Sequence, residues 1–241
     1  MANLESPKRL AVIPARGGSK RIPNKNVRDF CGSPMITHIL RTASKSGLFQ
    51  KIHVSTENEV IREVVAENGF SPDFTRPSEL SDDHTPIMPV LRYVAREYKA
   101  RGETFDEIWL LMACAPLVTA EDLEGAAQLF QQNNAQHQVL SVTEFPVPIE
   151  WAFSLDDSGI LNPRQPEKLA ARSQDLVPHY FDAAAFAVYP YSQIVVEDSS
   201  AEEEKLIGYI LPRVRAIDID NPEDWTLAES IFLMSTDSRE L

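Results

Sequence analysis

Residues 10–26, LAVIPARGGSKRIPNKN, are the part of the sequence that most clearly indicates a fold class. The first six, LAVIPA, are apolar and predict a short buried strand. An Arg-Gly-Gly-Ser-Lys turn at 16–20 follows directly. Its two glycines, Gly17 and Gly18, let the backbone approach a ligand and turn N–H groups toward an anion. The stretch therefore predicts an α/β sheet whose first strand ends at an anion site.

Positive charge surrounds this turn in an otherwise acidic chain. The net charge is −13, yet residues 8–28 hold seven Lys or Arg and no Asp or Glu. Arg16 offers two parallel hydrogen bonds to a phosphate, Lys20 adds charge and Ser19 adds a hydroxyl donor. The turn matches neither the Walker pattern nor G-x-G-x-x-G. We favour phosphate binding here over a plain tight turn or a solvated basic face.

After this stretch, strand-like and helix-like patterns alternate along the chain. They predict a doubly wound, mainly parallel sheet in a single domain over residues 1–241. A helix is expected after Ser33, with Ser33 as its N-cap and Pro34 in its first turn. Further strands are expected at 52–55, 108–112 and 139–142. Further helices are expected at 60–65, at 90–98 and from Thr119 or Ala120 onward.

The alternation stops at Glu144. Residues 144–180 are rich in proline and weakly periodic, which predicts an arm, a lid or a dimer contact within the domain. Regular structure is expected again as a strand at 184–189, a strand at 207–219 interrupted by Pro212, and a helix from about Pro222.

Two aspartates stand near the carboxyl end of the last expected strand. Asp218 and Asp220 are two residues apart, so in a strand both carboxylates face the same side. Mg²⁺ is commonly held by one or two carboxylates together with waters and phosphate oxygens. Helix capping by Asp220 or Asn221 is the alternative, because Asn-Pro-Glu-Asp at 221–224 is a strong helix start. We favour the metal site for Asp218 and Asp220.

The composition indicates which binding partners and which cell compartment to expect. An acidic chain repels nucleic acid and anionic membranes, so neither is expected as a partner. No apolar run has the length of a membrane span, and residues 1–7 lack the pattern of a signal peptide. Cys31 and Cys114 form no metal spacing and no disulfide framework. These features predict a cytoplasmic protein.

Five segments, in this order, resemble the CMP-sialic acid synthetases (acylneuraminate cytidylyltransferases) and their relatives. They are 11–26 (AVIPARGGSKRIPNKN), 76–80 (RPSEL), 115–117 (APL), 172–176 (RSQDL) and 217–225 (IDIDNPEDW). The resemblance covers nearly the whole chain, and its first segment is highly specific. It implies a Rossmann-like nucleotidyltransferase fold with an extended dimerisation arm, a homodimer, CTP as co-substrate, and Mg²⁺ or Mn²⁺ as metal.

The resemblance also implies roles for individual residues. Those expected at the nucleotide are Ala15, Arg16, Gly17, Gly18, Ser19, Lys25, Asn26, Arg76 and Thr85. Those expected to act in catalysis are Arg16, Lys20, Lys25, Asp218 and Asp220, the last two as metal ligands. Those expected at the acidic sugar are Met112, Arg172, Gln174, Asp182 and Phe186. Two alternatives are weighed against these roles. Arg76 could be an ordinary surface residue, and Arg172 and Gln174 could belong only to a dimer contact.

Within that family the chain is most similar to the pseudaminic acid branch, through 81–85 (SDDHT), 142–149 (VTEFPVPI) and 180–183 (YFDA). The sialic acid branch usually has a glutamine where this chain has Met112. The pseudaminic branch typically has Gly and Gln where this chain has Ala184 and Ala185. The implied reaction is displacement of pyrophosphate from CTP by the anomeric hydroxyl of a nine-carbon acidic sugar, with pseudaminic acid favoured.

Other readings of the sequence remain open at this point. Legionaminic acid, N-acetylneuraminic acid or an eight-carbon keto acid could be the sugar. A catalytically inactive nucleotide-binding regulator or scaffold is the alternative from another class, and an unrelated sugar-nucleotide enzyme is a third.

Overall fold

The computed structural model describes residues 6–82, 85–195 and 205–237. Its strands are β1 Arg9–Pro14, β2 Asp29–Phe30, β3 Ser33–Pro34, β4 Lys51–Ser55, β5 Glu107–Leu111, β6 Val139–Glu144, β7 Phe153–Leu155, β8 Leu161–Pro163, β9 Tyr180–Pro190 and β10 Ile207–Ile210. Its helices are α1 Met35–Ser46, α2 Glu59–Glu67, α3 Ile87–Ala100, α4 Ala120–Gln132, α5 Tyr191–Val195 and α6 Pro222–Asp237.

Six strands form one central sheet in the order β10-β6-β9-β5-β1-β4. The pairs β1–β4, β1–β5 and β10–β6 are parallel, whereas β9 runs antiparallel to both β5 and β6. The predicted α/β, mainly parallel sheet is confirmed. Because β9 runs the opposite way, its first residues lie at the edge where β1, β5 and β10 end. That edge is where α/β sheets bind ligands.

The first strand shows why helices cover both faces of the sheet. Ala11 and Ile13 point to one face and pack in a core with residues of α1, α2 and α4. Leu10 and Val12 point to the other face and pack with residues of α3 and α5. All four side chains are fully buried, so β1 is continuously apolar from Leu10 to Pro14 instead of alternating.

Two local expectations were wrong. Ser33 does not cap α1, because it pairs with Phe30 in the β2–β3 hairpin, and Pro34 is the N-cap without a side-chain hydrogen bond. The strand expected at 207–219 ends at Ile210, because Pro212 has no N–H to donate and a 3₁₀ turn follows at Arg213–Arg215. Asp218 and Asp220 therefore lie in an irregular segment and not at the end of a strand.

Residues 145–179, between β6 and β9, leave the sheet and carry the separate two-stranded hairpin β7–β8. This segment exposes several large apolar side chains, among them Val147, Leu155, Ile160, Leu161 and Val177. Apolar surface of this kind is typical of a contact with another molecule. The role of this segment as a dimerisation arm stays a prediction.

Candidate functional site

A cavity of about 480 Å³ opens at the ligand-binding edge of the sheet. It brings together four parts of the chain that are far apart in sequence: the loop after β1, the loop after β5, the bend in β9 and the segment before α6. The residues lining it are Pro14, Arg16, Ser19, Lys20, Arg21, Lys25, Asn26, Met112, Ala113, Cys114, Ala184, Asp218 and Asp220. All five residues expected to act in catalysis therefore line one cavity.

The loop after β1 is held in shape by buried polar contacts. Asn26 is buried, and its Nδ2 donates to the Arg16 carbonyl at 2.9 Å. The Cys114 thiol donates to Asn26 Oδ1 at 3.3 Å, which ties the loop after β5 to the same asparagine. Burial raises the pKa of this thiol to about 11, so it is protonated and a donor at neutral pH. Asn26 therefore holds the loop in shape as well as lining the cavity.

Gly17 is required by close packing and not by an unusual backbone angle. A Cβ at this position would lie 2.2 Å from Asn58 Nδ2. The Gly17 N–H donates to Glu57 Oε1 at 3.0 Å, so it faces a carboxylate of the chain itself and not a ligand anion as expected. Gly18 is exposed and a Cβ there would meet nothing within 4 Å. Ala15 is buried beneath the loop.

Lys25 and the two aspartates form the charged wall of the cavity. Lys25 Nζ donates to the Ile219 carbonyl at 2.6 Å and lies 3.5 Å from Asp220 Oδ1, while Arg21 pairs with Asp220 Oδ2 at 2.8 Å. Burial raises the pKa of Asp218, and the neighbouring Asp220 carboxylate raises it further. The two carboxylates are therefore close enough to repel each other, which a cation between them would relieve.

The capping alternative for Asp220 is excluded by the start of α6. Asn221 Oδ1 accepts the N–H groups of Glu223 and Asp224 at 2.8 and 3.0 Å. Asp224 in return accepts the N–H groups of Asp220 and Asn221. Because Asn221 and Asp224 satisfy the helix end, the Asp220 carboxylate stays at the cavity.

Two carboxylates fit a hard divalent ion such as Mg²⁺ that takes its other ligands from waters and phosphate oxygens. No group of three or more His, Cys, Asp or Glu positioned for a metal occurs within residues 6–82, 85–195 and 205–237. The chain thus offers an incomplete ligand set, which a phosphate-bearing substrate would complete.

A buried ion pair anchors the segment that carries these aspartates. Both terminal guanidinium nitrogens of Arg215 donate to the Asp122 carboxylate, Nη1 to Oδ2 and Nη2 to Oδ1, the latter at 2.9 Å. Asp122 also accepts from the Thr119 N–H and hydroxyl at 2.9 Å each, in a capping box at the start of α4. Burial opposes ionisation of Asp122, but these donors hold its pKa below the ordinary value.

A second cavity, of about 280 Å³, adjoins the first and shares Pro14 and Arg16 with it. Arg76, expected at the nucleotide, is buried in its wall and pairs with Glu57 at 2.7 Å. Thr85 also lines it, and its N–H and hydroxyl both donate to Asp82 Oδ1. Ile87 and Val90 supply apolar wall. Arg76 is thus no ordinary surface residue.

The structure places the residues expected at the sugar in different surroundings. Met112 lines the first cavity, and Asp182 Oδ1 accepts the N–H of Ala184 at 2.8 Å. Phe186 is buried in the core against Trp109 and Tyr209, so its side chain does not line the cavity. This placement differs from its expected role, because the bend in β9 presents Ala184 to the cavity instead.

Arg172 and Gln174 lie in the segment at 144–180 and are exposed. Arg172 pairs with Asp175 of its own 3₁₀ turn at 2.8 Å. Neither residue lines the first cavity.

Sequence reasoning missed Glu57, the Asp122–Arg215 pair and the conformation of Ala184. Ala184 has a φ of +49° beside an irregularity in the β6–β9 pairing, a strained conformation for a residue with a Cβ. The glycine typical of the resembling branch at this position was the one signal that pointed there. Glu57 and Asp122 each stand near a helix start, where an acidic residue is ordinary.

The sheet and the cavity at its edge define an α/β nucleotidyltransferase. Residues 10–200 match the family model described as cytidylyltransferase, and the chain belongs to that family. It is a CTP-dependent nucleotidyltransferase.

Individual relatives agree with this assignment. The chain is 33% identical over 231 residues to a pseudaminic acid cytidylyltransferase of Campylobacter jejuni, covering 96% of this chain and 99% of that one. It is 26% identical to a CMP-N,N'-diacetyllegionaminic acid synthase of Legionella pneumophila, covering 95% and 98%. A CMP:2-keto-3-deoxy-manno-octonic acid synthetase solved with CTP has the same fold, with a TM-score of 0.67, 18% identity, and coverage of 95% and 99%.

Among the helices described, none combines the length and the apolar character needed to cross a membrane.

Proposed function

We propose that this enzyme transfers CMP from CTP to the anomeric hydroxyl of a nine-carbon acidic sugar, pseudaminic acid, and releases pyrophosphate. One observation carries the proposal: the cavity at the sheet edge is lined both by a cationic loop and by the carboxylates of Asp218 and Asp220. That arrangement suits a triphosphate with a divalent ion. The relative named for pseudaminic acid matches nearly the full length of the chain and supports the choice of sugar.

Phosphoryl transfer of this kind depends on positioning and on neutralising charge. Arg16, Ser19 and Lys20 would bind the triphosphate, and Lys25 would offset the charge that develops toward pyrophosphate. Asp218 and Asp220 would hold Mg²⁺ or Mn²⁺. When bound, that ion would bind phosphate oxygens and lower the pKa of a hydroxyl near it. Arg76 and Thr85, in the adjoining cavity, would place the base.

The sugar side of the cavity supports an acceptor with an apolar edge. Met112, Ala113 and Ala184 contribute thioether and methyl groups, and Cys114 is occupied with Asn26. These side chains offer no hydrogen bonds to a sugar hydroxyl. A deoxygenated, methyl-bearing sugar therefore loses fewer hydrogen bonds to water than a hydroxylated one when it binds against this wall. N-acetylneuraminic acid, which ends in a hydroxymethyl group, is the acceptor that this wall disfavours. Legionaminic acid has the same methyl terminus as pseudaminic acid and competes through its stereochemistry.

We also propose a homodimer formed through residues 144–180, acting in the cytoplasm where CTP is made. The exposed Leu155 and Ile160 of the β7–β8 hairpin would be covered by the partner subunit. Arg172 and Gln174, which lie away from this chain's own cavity, would then approach the acidic sugar in the neighbouring subunit.

A panel of acceptors tests the substrate. Pyrophosphate release is measured with CTP, Mg²⁺ and, in turn, pseudaminic, legionaminic, N-acetylneuraminic and eight-carbon keto acids. The proposal expects the highest kcat/KM with pseudaminic acid. A higher value with another acid would replace the sugar and keep the reaction, whereas binding of CTP without turnover of any acid would favour a regulatory role.

A further inference from the structure

Glu57 links the loop beside the first cavity to Arg76 in the wall of the second through one carboxylate. It follows β4 and precedes the N-cap of α2. Its Oε1 accepts the N–H of Gly17 at 3.0 Å, and its Oε2 accepts Nη2 of Arg76 at 2.7 Å. The same side chain therefore holds the loop of the first cavity and the arginine of the second.

This carboxylate is not needed to begin the helix. Asn58 is the N-cap of α2, and its side chain accepts the Ile61 N–H at 3.1 Å. Burial opposes ionisation of Glu57, but the Gly17 N–H and Arg76 hold its pKa below the ordinary value. Glu57 is therefore charged at neutral pH and bound to groups that belong to the site.

Arg76 is fixed on more than one side. Its Nε donates to Ser81 Oγ at 3.1 Å, and its backbone N–H donates to the Thr56 carbonyl at 3.0 Å. The side chain is 4% exposed, so its charge is balanced at close range by Glu57 and not by water. A guanidinium held in this way has a fixed plane and a neutralised charge.

The fixed plane and the neutralised charge suit an arginine that recognises a neutral base beside a highly charged triphosphate. A guanidinium only donates hydrogen bonds. Cytosine presents two adjacent acceptors, O2 and N3, whereas N3 of uracil carries a hydrogen and is a donor. A fixed arginine therefore matches cytosine and opposes uracil. An arginine without its carboxylate would be drawn to the phosphates bound near Arg16, where base identity has no influence.

We propose that Glu57 is a positioning residue for nucleotide choice: by pairing with Arg76 and Gly17 it directs Arg76 to the base and away from the triphosphate. This inference rests on the proposed function, since it takes CTP as the nucleotide. Glu57 touches neither reacting atom, so its effect falls on binding and on discrimination between bases more than on kcat.

Titration calorimetry with CTP or UTP, each with Mg²⁺ and without sugar, tests the inference on the full chain. The variants are Glu57→Gln, Arg76→Gln and the two combined. Glu59→Gln is the matched control, because Glu59 lies two residues away in an exposed pair with Arg62 and loses the same charge. Glu57→Asp keeps the charge and guards against a variant that fails to fold.

We expect Glu57→Gln to weaken CTP binding by on the order of 10- to 100-fold, the loss typical of hydrogen bonds to a charged group. UTP binding should change by a smaller factor, so the preference for CTP falls. The double variant should match Arg76→Gln alone, because Glu57 acts through Arg76. Glu57→Asp should recover part of the preference, and Glu59→Gln should behave as the wild type.

Equal losses for CTP and UTP, or additive effects in the double variant, would overturn the inference and leave Glu57 a structural residue. An unchanged CTP preference in a folded Glu57→Gln protein would overturn it as well. If the wild-type chain itself shows no preference for CTP over UTP, the proposed function fails together with this inference. The wild-type measurement therefore separates the two failures.

Discussion

Replacing Arg215 by methionine should destabilise the protein by about 3 kcal/mol, near the lower end of the range for breaking a buried ion pair. The Asp122 side chain is 6% exposed and would keep its two Thr119 donors and the Tyr209 hydroxyl at 3.5 Å, none of which carries a positive charge. The Arg215 side chain is 25% exposed, so water can reach the vacated place and limit the cost. For a chain of this size, that loss lowers the melting temperature by about 6–12 °C.

Urea unfolding at pH 7 measures the change, with Arg213→Met as the matched control. Arg213 lies in the same 3₁₀ turn but is exposed, so its loss should stay within about 0.5 kcal/mol of the wild type. Adding Asp122→Asn to Arg215→Met should recover part of the stability, because the stranded charge is removed. If the free energy of unfolding of Arg215→Met lies within about 0.5 kcal/mol of the wild-type value, the Arg215–Asp122 pair does not stabilise the fold as proposed.

Three further predictions concern pH, the sugar wall and assembly. Burial lowers the pKa of His53 to about 4, so below about pH 6.5 the unfolded chain binds a proton that the folded chain does not. This residue should therefore lower the free energy of unfolding of the wild type, measured in urea, by about 3 kcal/mol between pH 7 and pH 4. If the unfolding free energy of His53→Gln falls with pH as steeply as that of the wild type, the prediction is contradicted. Ala184→Gly removes a methyl at the cavity, relieves a φ of +49° and restores the glycine typical of the pseudaminic branch, so acceptor assays should show turnover of pseudaminic acid equal to or above that of the wild type. A shift of preference to legionaminic or N-acetylneuraminic acid would contradict pseudaminic acid as the sugar. Leu155→Asp with Ile160→Asp should give a monomer by light scattering where the wild type is a dimer, and a dimer in both would argue against the arm.

Features set by local sequence were predictable. The apolar run at 10–15 became β1, and Thr119 capped α4 as one of the two expected starts. The loop at 16–26 and the aspartates were singled out from residue type and resemblance, and the structure places them around one cavity. These signals lie within short stretches, where propensity and pattern act.

Features set by long-range pairing were not predictable. The antiparallel insertion of β9 between β5 and β6 depends on partners far apart in sequence, and it decides that Ala184 meets the cavity while Phe186 enters the core. Glu57 resembles any acidic residue before a helix until Gly17 and Arg76 are seen beside it. Ser33 was mistaken for a cap for a local reason: Cys31 and Gly32 both have positive φ and form a tight turn that pairs Ser33 with Phe30.

Phosphorus NMR of the product made from CTP, Mg²⁺ and pseudaminic acid tests the proposed reaction most directly, with Asp218→Asn and Asp220→Asn beside the wild type. We expect a CMP-sugar phosphodiester and pyrophosphate in equal amounts from the wild type, and neither from the folded variants. Release of CMP without a sugar product, or full turnover by both variants, would contradict the proposed reaction.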